Sequence, residues 1–328
     1  MAVYTQIGAE TMARIIGEFD VGTLISAKGI AEGVSNSNWL VETADADGLT
    51  SRFILTMYES RVETGDLPFF LGLLDHLAER GCLVPRTIHD RDNRPFRFHD
   101  GKALALIEFL PGVSVSDPSP AQAHAVGHAL AQIHIAAADF AGERDNSMSL
   151  AASKALLNAC GDVGLASIDP KLPAIVGAAL TELAADWPDG LPVSVIHADL
   201  FPDNVLMLGD AVSGLIDFYF ACTDITAYDV AVTHAAWCFS EDGTSFDPKI
   251  SRALLAGYEE VRRLEPGERQ ALPILARGAA LRFLATRAYD WNNTPVGALV
   301  TPKDPMPFAR RLEFYSDTAN HALFEPAG

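Results

Sequence analysis

Alternation of apolar and polar positions in the first 110 residues predicts four strands, at residues 23–30, 38–43, 52–58 and 103–109. Shorter extended segments surround a D-R-D-N turn, at residues 84–90 and 94–98. Between the third strand and these segments the period changes to that of a helix. That helix should begin after Asp66, end at Gly81, and bury an apolar stripe made of Leu67, Phe70, Leu71, Leu74 and Leu77.

The pattern changes after Leu110–Pro120, a segment that contains three prolines and one glycine. Beyond it the spacing predicts mainly helices, near residues 121–138, 150–160, 171–186, 226–238, 248–264, 267–293 and 305–323. We therefore predict an α+β protein with two lobes. Residues 1–110 form a lobe with an antiparallel sheet and one long helix, and residues 111–328 form a mainly helical lobe.

Composition narrows the possible partners. The formal net charge of the 328 residues is -19 at pH 7, which disfavours a nucleic-acid partner because phosphate backbones are bound by Lys and Arg. The four cysteines have no paired short spacing, so reduced, buried thiols are the expectation. Neither a signal peptide nor an apolar run of membrane-spanning length is recognisable, so we expect a cytoplasmic protein without a membrane partner. The sequence does not indicate the oligomeric state.

One segment carries a specific chemical pattern: V-S-V-I-H-A-D-L-F-P-D-N-V-L-M-L-G-D-A-V-S-G-L-I-D-F, residues 193–218. A strand leads into a polar loop with His197, Asp199 and Asn204, and a hairpin then leads to Asp217. This order matches the active-site half of a kinase, with one Asp for the hydroxyl proton and an Asn and a second Asp for Mg²⁺. We predict phosphoryl transfer from ATP to an alcohol. Asp199 would be the base, Asn204 and Asp217 the metal ligands, and His197 a support for the loop.

A second polar segment, G-I-A-E-G-V-S-N-S-N at residues 29–38, joins the first two predicted strands. Its backbone amides and side chains could bind phosphates, and an ordinary hairpin would also explain it. The residues that we predict to bind nucleotide are Lys28, Gly29, Gly33, Ser35, Asn36 and Ser37. A kinase usually has a Lys on the third strand, and here Thr56 stands at that position. Lys28 and Arg61 are the nearest replacement cations.

Further segments suggest support and acceptor binding. Asp229, at the start of an apolar helix, could accept backbone amides of the catalytic loop or cap the helix. Arg287, Asp290 and Trp291 share one face of a later helix, and Arg282 lies on another. An Arg and an Asp beside aromatic rings could hold a zwitterionic amino acid, and an intrahelical ion pair would explain them equally well. We include Tyr219 in this predicted acceptor site.

These segments together resemble the homoserine kinases built on the aminoglycoside-phosphotransferase and choline-kinase fold, over about residues 1–323. The motifs H-A-D-L-F-P-D-N-V, G-L-I-D-F-Y-F and L-R-F-L-A-T-R-A-Y-D-W carry much of the resemblance. It implies a two-lobed protein-kinase-like fold, MgATP as donor, and phosphorylation of the L-homoserine hydroxyl in threonine biosynthesis. It also implies that Asp199 is the base and that Asn204 and Asp217 bind magnesium. Thr56 at the Lys position is typical of the homoserine branch.

Three alternatives remain open from the residues alone. The acceptor could be choline, ethanolamine or an aminoglycoside, although a quaternary ammonium favours an aromatic cage without Arg. Thr56 could mark a nucleotide-binding module without catalysis. His197 and Asp199 could bind a hydrolytic transition metal, but no second His/Asp cluster at useful spacing supports that reading.

Overall fold

The computed structural model describes residues 6–30, 36–59, 63–295 and 301–325. The chain divides into two compact units, one of residues 1–111 and 140–142 and the other of residues 112–139 and 143–328. The first unit combines a sheet with helices and the second is mostly helical, which confirms the predicted α+β class.

The first unit is built around an antiparallel sheet. Its elements in chain order are α1 (Ala9–Ile16), β1 (Thr23–Ile30), β2 (Asn36–Ala44), β3 (Thr50–Tyr58), α2 (Leu67–Glu79), β4 (Thr87–Ile88), β5 (Arg97–His99) and β6 (Lys102–Glu108). The strand order is β1-β2-β3-β6-β4, and β5 pairs with β6. A core between α1 and the sheet contains Ile16, Phe19, Trp39, Leu55 and Leu106.

The long strands and α2 form where the hydrophobic pattern places them, and the predicted stripe of α2 is buried. The helix α2 begins after Asp66 as predicted, but the Asp66 side chain at its N-cap position makes no capping hydrogen bond. The predicted D-R-D-N turn forms, because the buried Asp90 carboxylate accepts the backbone N–H groups of Asp92 and Arg94, and within the extended segments around it only β4 and β5 pair as strands.

The second unit contains seven α-helices among the described residues: α3 (Pro120–Ala136), α4 (Leu150–Ile168), α5 (Leu172–Asp186), α6 (Thr226–Trp237), α7 (Pro248–Val261), α8 (Pro266–Asn293) and α9 (Met306–Ser316). Two antiparallel strand pairs interrupt the helices. One pair joins β7 (Val193–Ile196) to β10 (Cys222–Ile225), and the other joins β8 (Val205–Leu208) to β9 (Ala211–Leu215).

Two glycines allow α3 and α7 to cross closely. A Cβ atom on Gly127 would lie 2.0 Å from the Leu254 carbonyl oxygen, and one on Gly257 would lie 2.0 Å from the His124 carbonyl oxygen. Side chains at these positions would force the helices apart. The close crossing brings His134 of α3 against Tyr258 of α7, a contact that reaches the candidate active site.

Two further expectations concern the cysteines and the membrane. All four cysteines are free thiols, but only Cys222 and Cys238 are buried, whereas Cys82 and Cys160 are partly exposed. Within the described ranges, no helix combines the length and the apolar character needed to cross a bilayer.

Candidate active site

The loop after β7 holds two of the predicted catalytic side chains together. Asn204 donates through its amide nitrogen to the Asp199 carbonyl oxygen at 2.7 Å and to the Asp199 carboxylate at 3.3 Å. These contacts fix the orientation of the amide and direct its oxygen away from Asp199. The Asp199 carboxylate retains some solvent exposure, 18% of the side chain, so it is accessible to a ligand.

Main-chain and histidine contacts tie this loop to the segment that ends at Asp217. The Ile216 amide donates to the Asn204 carbonyl oxygen at 3.0 Å. The buried His197 donates through Nε2 to the Ile216 carbonyl at 3.0 Å and accepts the Asp199 amide through Nδ1 at 3.3 Å. Burial lowers the pKa of His197, so the ring is neutral and acts here as a bridge between two chain segments.

The loop and the turn at Asp217 contain unusual backbone. Ala198 and Asp217 adopt left-handed conformations, with φ of 63° and 65°. Such conformations are unfavourable for residues with a Cβ atom and persist only where surrounding contacts hold them. Ala198 lies directly before Asp199, and Asp217 is itself a predicted metal ligand. The contacts that hold Ala198 identify what supports the loop.

Negative charge is concentrated at the site. Burial, together with the charges of Asp217 and Asp203, raises the pKa of Asp199 to about 7 against the opposing charge of Arg282. Asp217 is accessible to solvent but closely surrounded by protein, and this desolvation raises its pKa more than repulsion from Asp203 does. Carboxylates that disfavour each other's ionisation favour a bound cation.

The donor set fits Mg²⁺. That ion prefers hard oxygen ligands and commonly takes only one or two protein groups, with the remaining positions filled by water and phosphate. Asn204 and Asp217 offer one amide and one carboxylate oxygen. The described ranges contain no cluster of three or more His, Cys, Asp or Glu side chains of the kind that holds a transition metal.

Asp229 lies beneath the loop and is completely buried. Its carboxylate accepts the His197 amide at 2.7 Å, the Ala198 amide at 2.8 Å and the Nε2–H of His134 at 3.0 Å. Burial alone would raise the pKa of Asp229, but the hydrogen bond and charge of His134 and the contacts with His197 hold it below its ordinary value. The carboxylate is therefore ionised and bonded to two consecutive amides of the loop.

Arg282 of α8 supports the same loop from another side. Its guanidinium donates to the Ala198 carbonyl oxygen and lies 4.0 Å from the Asp199 carboxylate. It also lies over the rings of Phe220 and Phe283. Arg282 is 2% exposed, so these contacts occupy most of its surface, and its acceptor role stays a prediction.

The other predicted acceptor residues are less confined. Arg287 is partly buried and lies over the Phe308 ring, at 4.5 Å from the ring centroid. Asp290 is exposed and Trp291 is 44% exposed, near the end of α8. Tyr219 is partly buried in the short 3-10 turn Phe218–Phe220 that follows Asp217.

The residues predicted to bind nucleotide belong to the first unit. Lys28 and Gly29 lie on β1, and Asn36 and Ser37 begin β2. Gly33, Ser35 and Arg61 lie outside the described residues. Ser37 donates to the Glu59 carboxylate at 2.8 Å, and Lys102 of β6 donates to the same carboxylate at 2.5 Å.

Sequence reasoning missed this Glu59–Lys102 pair, because the two residues are 43 positions apart and meet only through sheet pairing. Sequence reasoning also did not assign His134, Tyr258 or Arg311 to the site. A signal existed for His134, which continues the apolar face of a predicted helix, where a polar side chain needs a hydrogen-bond partner.

Three comparisons place the chain among known proteins. Residues 26–264 match the model of the phosphotransferase enzyme family. A homoserine kinase from Azorhizobium caulinodans is 50% identical over 320 residues, which is 98% of each chain. A homoserine kinase from Gluconacetobacter diazotrophicus is 48% identical over 326 residues, or 99% of each chain.

Solved structures show the same fold at low identity. Amicoumacin kinase, in complex with AMP-PNP, Ca²⁺ and its substrate, superposes with a TM-score of 0.69 and 15% identity, covering 95% of this chain and 94% of the other. Spectinomycin phosphotransferase superposes with a TM-score of 0.67 and 12% identity, covering 98% of each chain. The predicted kinase-like fold is thereby confirmed.

Proposed function

This chain belongs to the phosphotransferase enzyme family and, within it, to the homoserine kinases, and from this premise we propose how its own residues perform the reaction. The enzyme transfers the γ-phosphoryl group of ATP to the hydroxyl of L-homoserine, giving O-phospho-L-homoserine and ADP for threonine biosynthesis. Relatives of the same name cover nearly the whole chain, whereas the aminoglycoside and ethanolamine kinases share only the fold, at 12–19% identity.

The observation that carries the proposal is the shared loop of Asp199 and Asn204. The two side chains are hydrogen-bonded to each other, and the loop is bonded through the Ile216 amide to the segment that ends at Asp217. A kinase needs these three groups around one reacting phosphoryl group. This arrangement favours an active enzyme over a module that only binds nucleotide.

In the proposed mechanism Asp199 accepts a hydrogen bond from the acceptor hydroxyl and aligns its oxygen with the γ-phosphorus. The new oxygen–phosphorus bond forms as the bond from phosphorus to the β,γ-bridging oxygen breaks, and ADP leaves with that electron pair. The hydroxyl proton passes to the Asp199 carboxylate. Arg282 and Asp229 hold the loop so that this carboxylate keeps its position.

Asn204 and Asp217 would hold Mg²⁺, which when bound neutralises charge on the phosphates. We assign nucleotide binding to the first unit, with Lys28, Gly29, Gly33, Ser35, Asn36 and Ser37 near the phosphates, and acceptor binding to the second unit. We also expect the protein to act in the cytoplasm, where ATP and a soluble amino acid are available.

The test measures ADP release with L-homoserine, choline, L-serine and kanamycin as acceptors. We expect turnover with L-homoserine at a kcat/KM that exceeds the others. Asp199→Asn should retain ATP binding and lower kcat by about 10²–10⁴-fold, the range that a positioned base supplies. Asp189→Asn, an exposed carboxylate, is the matched control. Turnover with none of the acceptors would support the module instead.

A further inference from the structure

A buried aromatic ring of α9 is contacted by two arginines of the second unit. The Phe308 side chain is fully buried. The guanidinium carbon of Arg287 lies 4.5 Å from its ring centroid, and that of Arg311 lies 4.3 Å from it. Arg311, on α9, is 4% exposed, while Arg287, on α8, is partly accessible. We call Arg287 and Arg311 the arginine pair at Phe308.

The two arginines differ in their partners from Arg277 and Arg262 of the same unit, which are paired with carboxylates. Arg277 is bonded to Glu182, and Arg262 is bonded to Glu268 at 2.8 Å. Arg287 donates to the Asp304 carbonyl oxygen at 3.1 Å, and Arg311 donates to the Ser240 carbonyl oxygen at 3.0 Å. Among the described residues, no carboxylate lies within ion-pair distance of either guanidinium.

A buried cation and a partly buried cation against one ring, with no carboxylate in ion-pair contact among the described residues, form an unfavourable arrangement. Burial, together with the charge of Arg287, lowers the pKa of Arg311 to about 10. The Nε–H of Arg311 is buried without a hydrogen-bond partner in the described structure. A single carboxylate would supply the missing charge and could accept N–H groups from both side chains.

The pair is connected to the catalytic loop through aromatic contacts. Phe201, between Asp199 and Asn204 in the chain, packs against Phe283 with ring centroids 4.8 Å apart and against Phe308 at 6.0 Å. Phe283 and Phe308 are themselves 5.0 Å apart. Burial lowers the pKa of Arg287, and the charges of Asp304, Asp199 and Asp203, in that order, oppose this effect, so the guanidinium interacts electrostatically with the proposed base.

From these contacts we propose that Arg287 and Arg311 bind the α-carboxylate of the amino-acid acceptor while its hydroxyl is held at Asp199. This inference rests on the proposed function and deepens it, because it names the residues that select an α-amino acid over an amino alcohol. Arg282 does not serve this purpose, since it is committed to the Ala198 carbonyl oxygen.

The experiment compares L-homoserine with 3-aminopropan-1-ol, which has the same hydroxyl and amine but no carboxylate. For the wild type we expect kcat/KM to favour L-homoserine. Arg311→Met should lower kcat/KM for L-homoserine by about 10–150-fold, the loss expected for hydrogen bonds to a charged group, and leave 3-aminopropan-1-ol nearly unchanged. Arg287→Met should act in the same direction, and Arg311→Lys should retain part of the selectivity.

Arg277→Met is the control, because it removes another buried arginine of α8 and should leave the selectivity ratio at its wild-type value. Equal losses for both acceptors in Arg311→Met and Arg287→Met would overturn the proposal and give the pair a purely structural role. If Arg311→Met does not fold, the selectivity of Arg287→Met between the two acceptors tests the proposal, because Arg287 is partly accessible and its substitution disturbs the core less. A wild-type protein that phosphorylates another alcohol but not L-homoserine would overturn the proposed function instead.

Discussion

Two buried histidines of the second unit have nearly the same surroundings but different final partners. His134 shares a hydrogen bond between Nδ1 and the Tyr258 hydroxyl at 2.7 Å, and His234 shares one between Nδ1 and the Tyr315 hydroxyl at 2.6 Å. At the opposite nitrogen, His134 faces the Asp229 carboxylate at 3.0 Å. His234 instead faces the Ser251 hydroxyl at 2.8 Å.

The network at His134 is continuous from a distant ion pair to the catalytic loop. Arg262, paired with Glu268, donates to the Tyr258 hydroxyl at 3.1 Å. Tyr258 and His134 continue the chain of hydrogen bonds to Asp229, whose oxygens accept two loop amides. A charge at each end orients every donor and acceptor between them.

The network at His234 has no such continuation. Burial lowers the pKa of His234 to about 3, so the ring is neutral and lies among the aromatic rings of Phe246, Tyr315 and Phe324. Its two partners are hydroxyl groups. The comparison teaches that a buried histidine with two satisfied nitrogens is not in itself a functional signal, and that the group at the end of the network decides its importance for activity.

The largest expected effect comes from removing the charge that distinguishes the two networks. Asp229→Asn should lower the free energy of unfolding by about 3–5 kcal/mol, as expected when one partner of a buried charged network is removed. Since the new NH₂ group faces the N–H groups that Asp229 accepted, the loop should shift and kcat should fall about a hundredfold. Urea unfolding and kcat at saturating substrates measure the two effects. A stable variant with unchanged kcat would contradict the anchoring role.

A matched pair of substitutions tests the comparison directly. His134→Phe and His234→Phe each leave a buried hydroxyl without its partner, so each should lower the unfolding free energy by about 1–3 kcal/mol. Only His134→Phe should also lower kcat, by about tenfold, because it alone removes a donor from Asp229. Urea unfolding and kcat measurements on both variants check this, and equal effects on kcat would show that the two networks are equivalent.

Sequence reasoning reached the local elements and the kinase-like motif, because hydrophobic period and short loop spacing are properties of neighbouring residues. The strands β1 to β3 and the order of Asp199, Asn204 and Asp217 are of this kind. It could not reach His134, which is 95 positions from Asp229, or the hydrogen bond of Arg311 to the Ser240 carbonyl oxygen, 71 positions away. The contact of His134 with Tyr258 likewise requires the close crossing of α3 and α7, which two glycines permit.

The smallest expected effect concerns a histidine–carboxylate pair in the first unit that is partly exposed. His89 Nε2 lies 2.7 Å from the Asp75 carboxylate, with the two side chains 35% and 27% exposed. Burial lowers the pKa of His89, but the hydrogen bond and charge of Asp75, together with contacts to Asn93, raise it above its ordinary value of 6.5.

The pKa of His89 is higher in the folded state than in the unfolded state. The contribution of the His89–Asp75 pair to stability is therefore complete below about pH 6.5 and is lost as the pH rises through the folded-state pKa. Solvent screening limits it to about 0.5 kcal/mol. His89→Gln should therefore reduce the decline in unfolding free energy between pH 6 and about pH 8, the window set by an ordinary histidine pKa and its upward shift. Urea unfolding at each pH measures it, with Asp75→Asn expected to give the same flattening. If the unfolding free energy of His89→Gln declines with pH as steeply as that of the wild type, His89 is not the source of the decline. The partly exposed pair would then differ from the His134 network in having no measurable effect on stability.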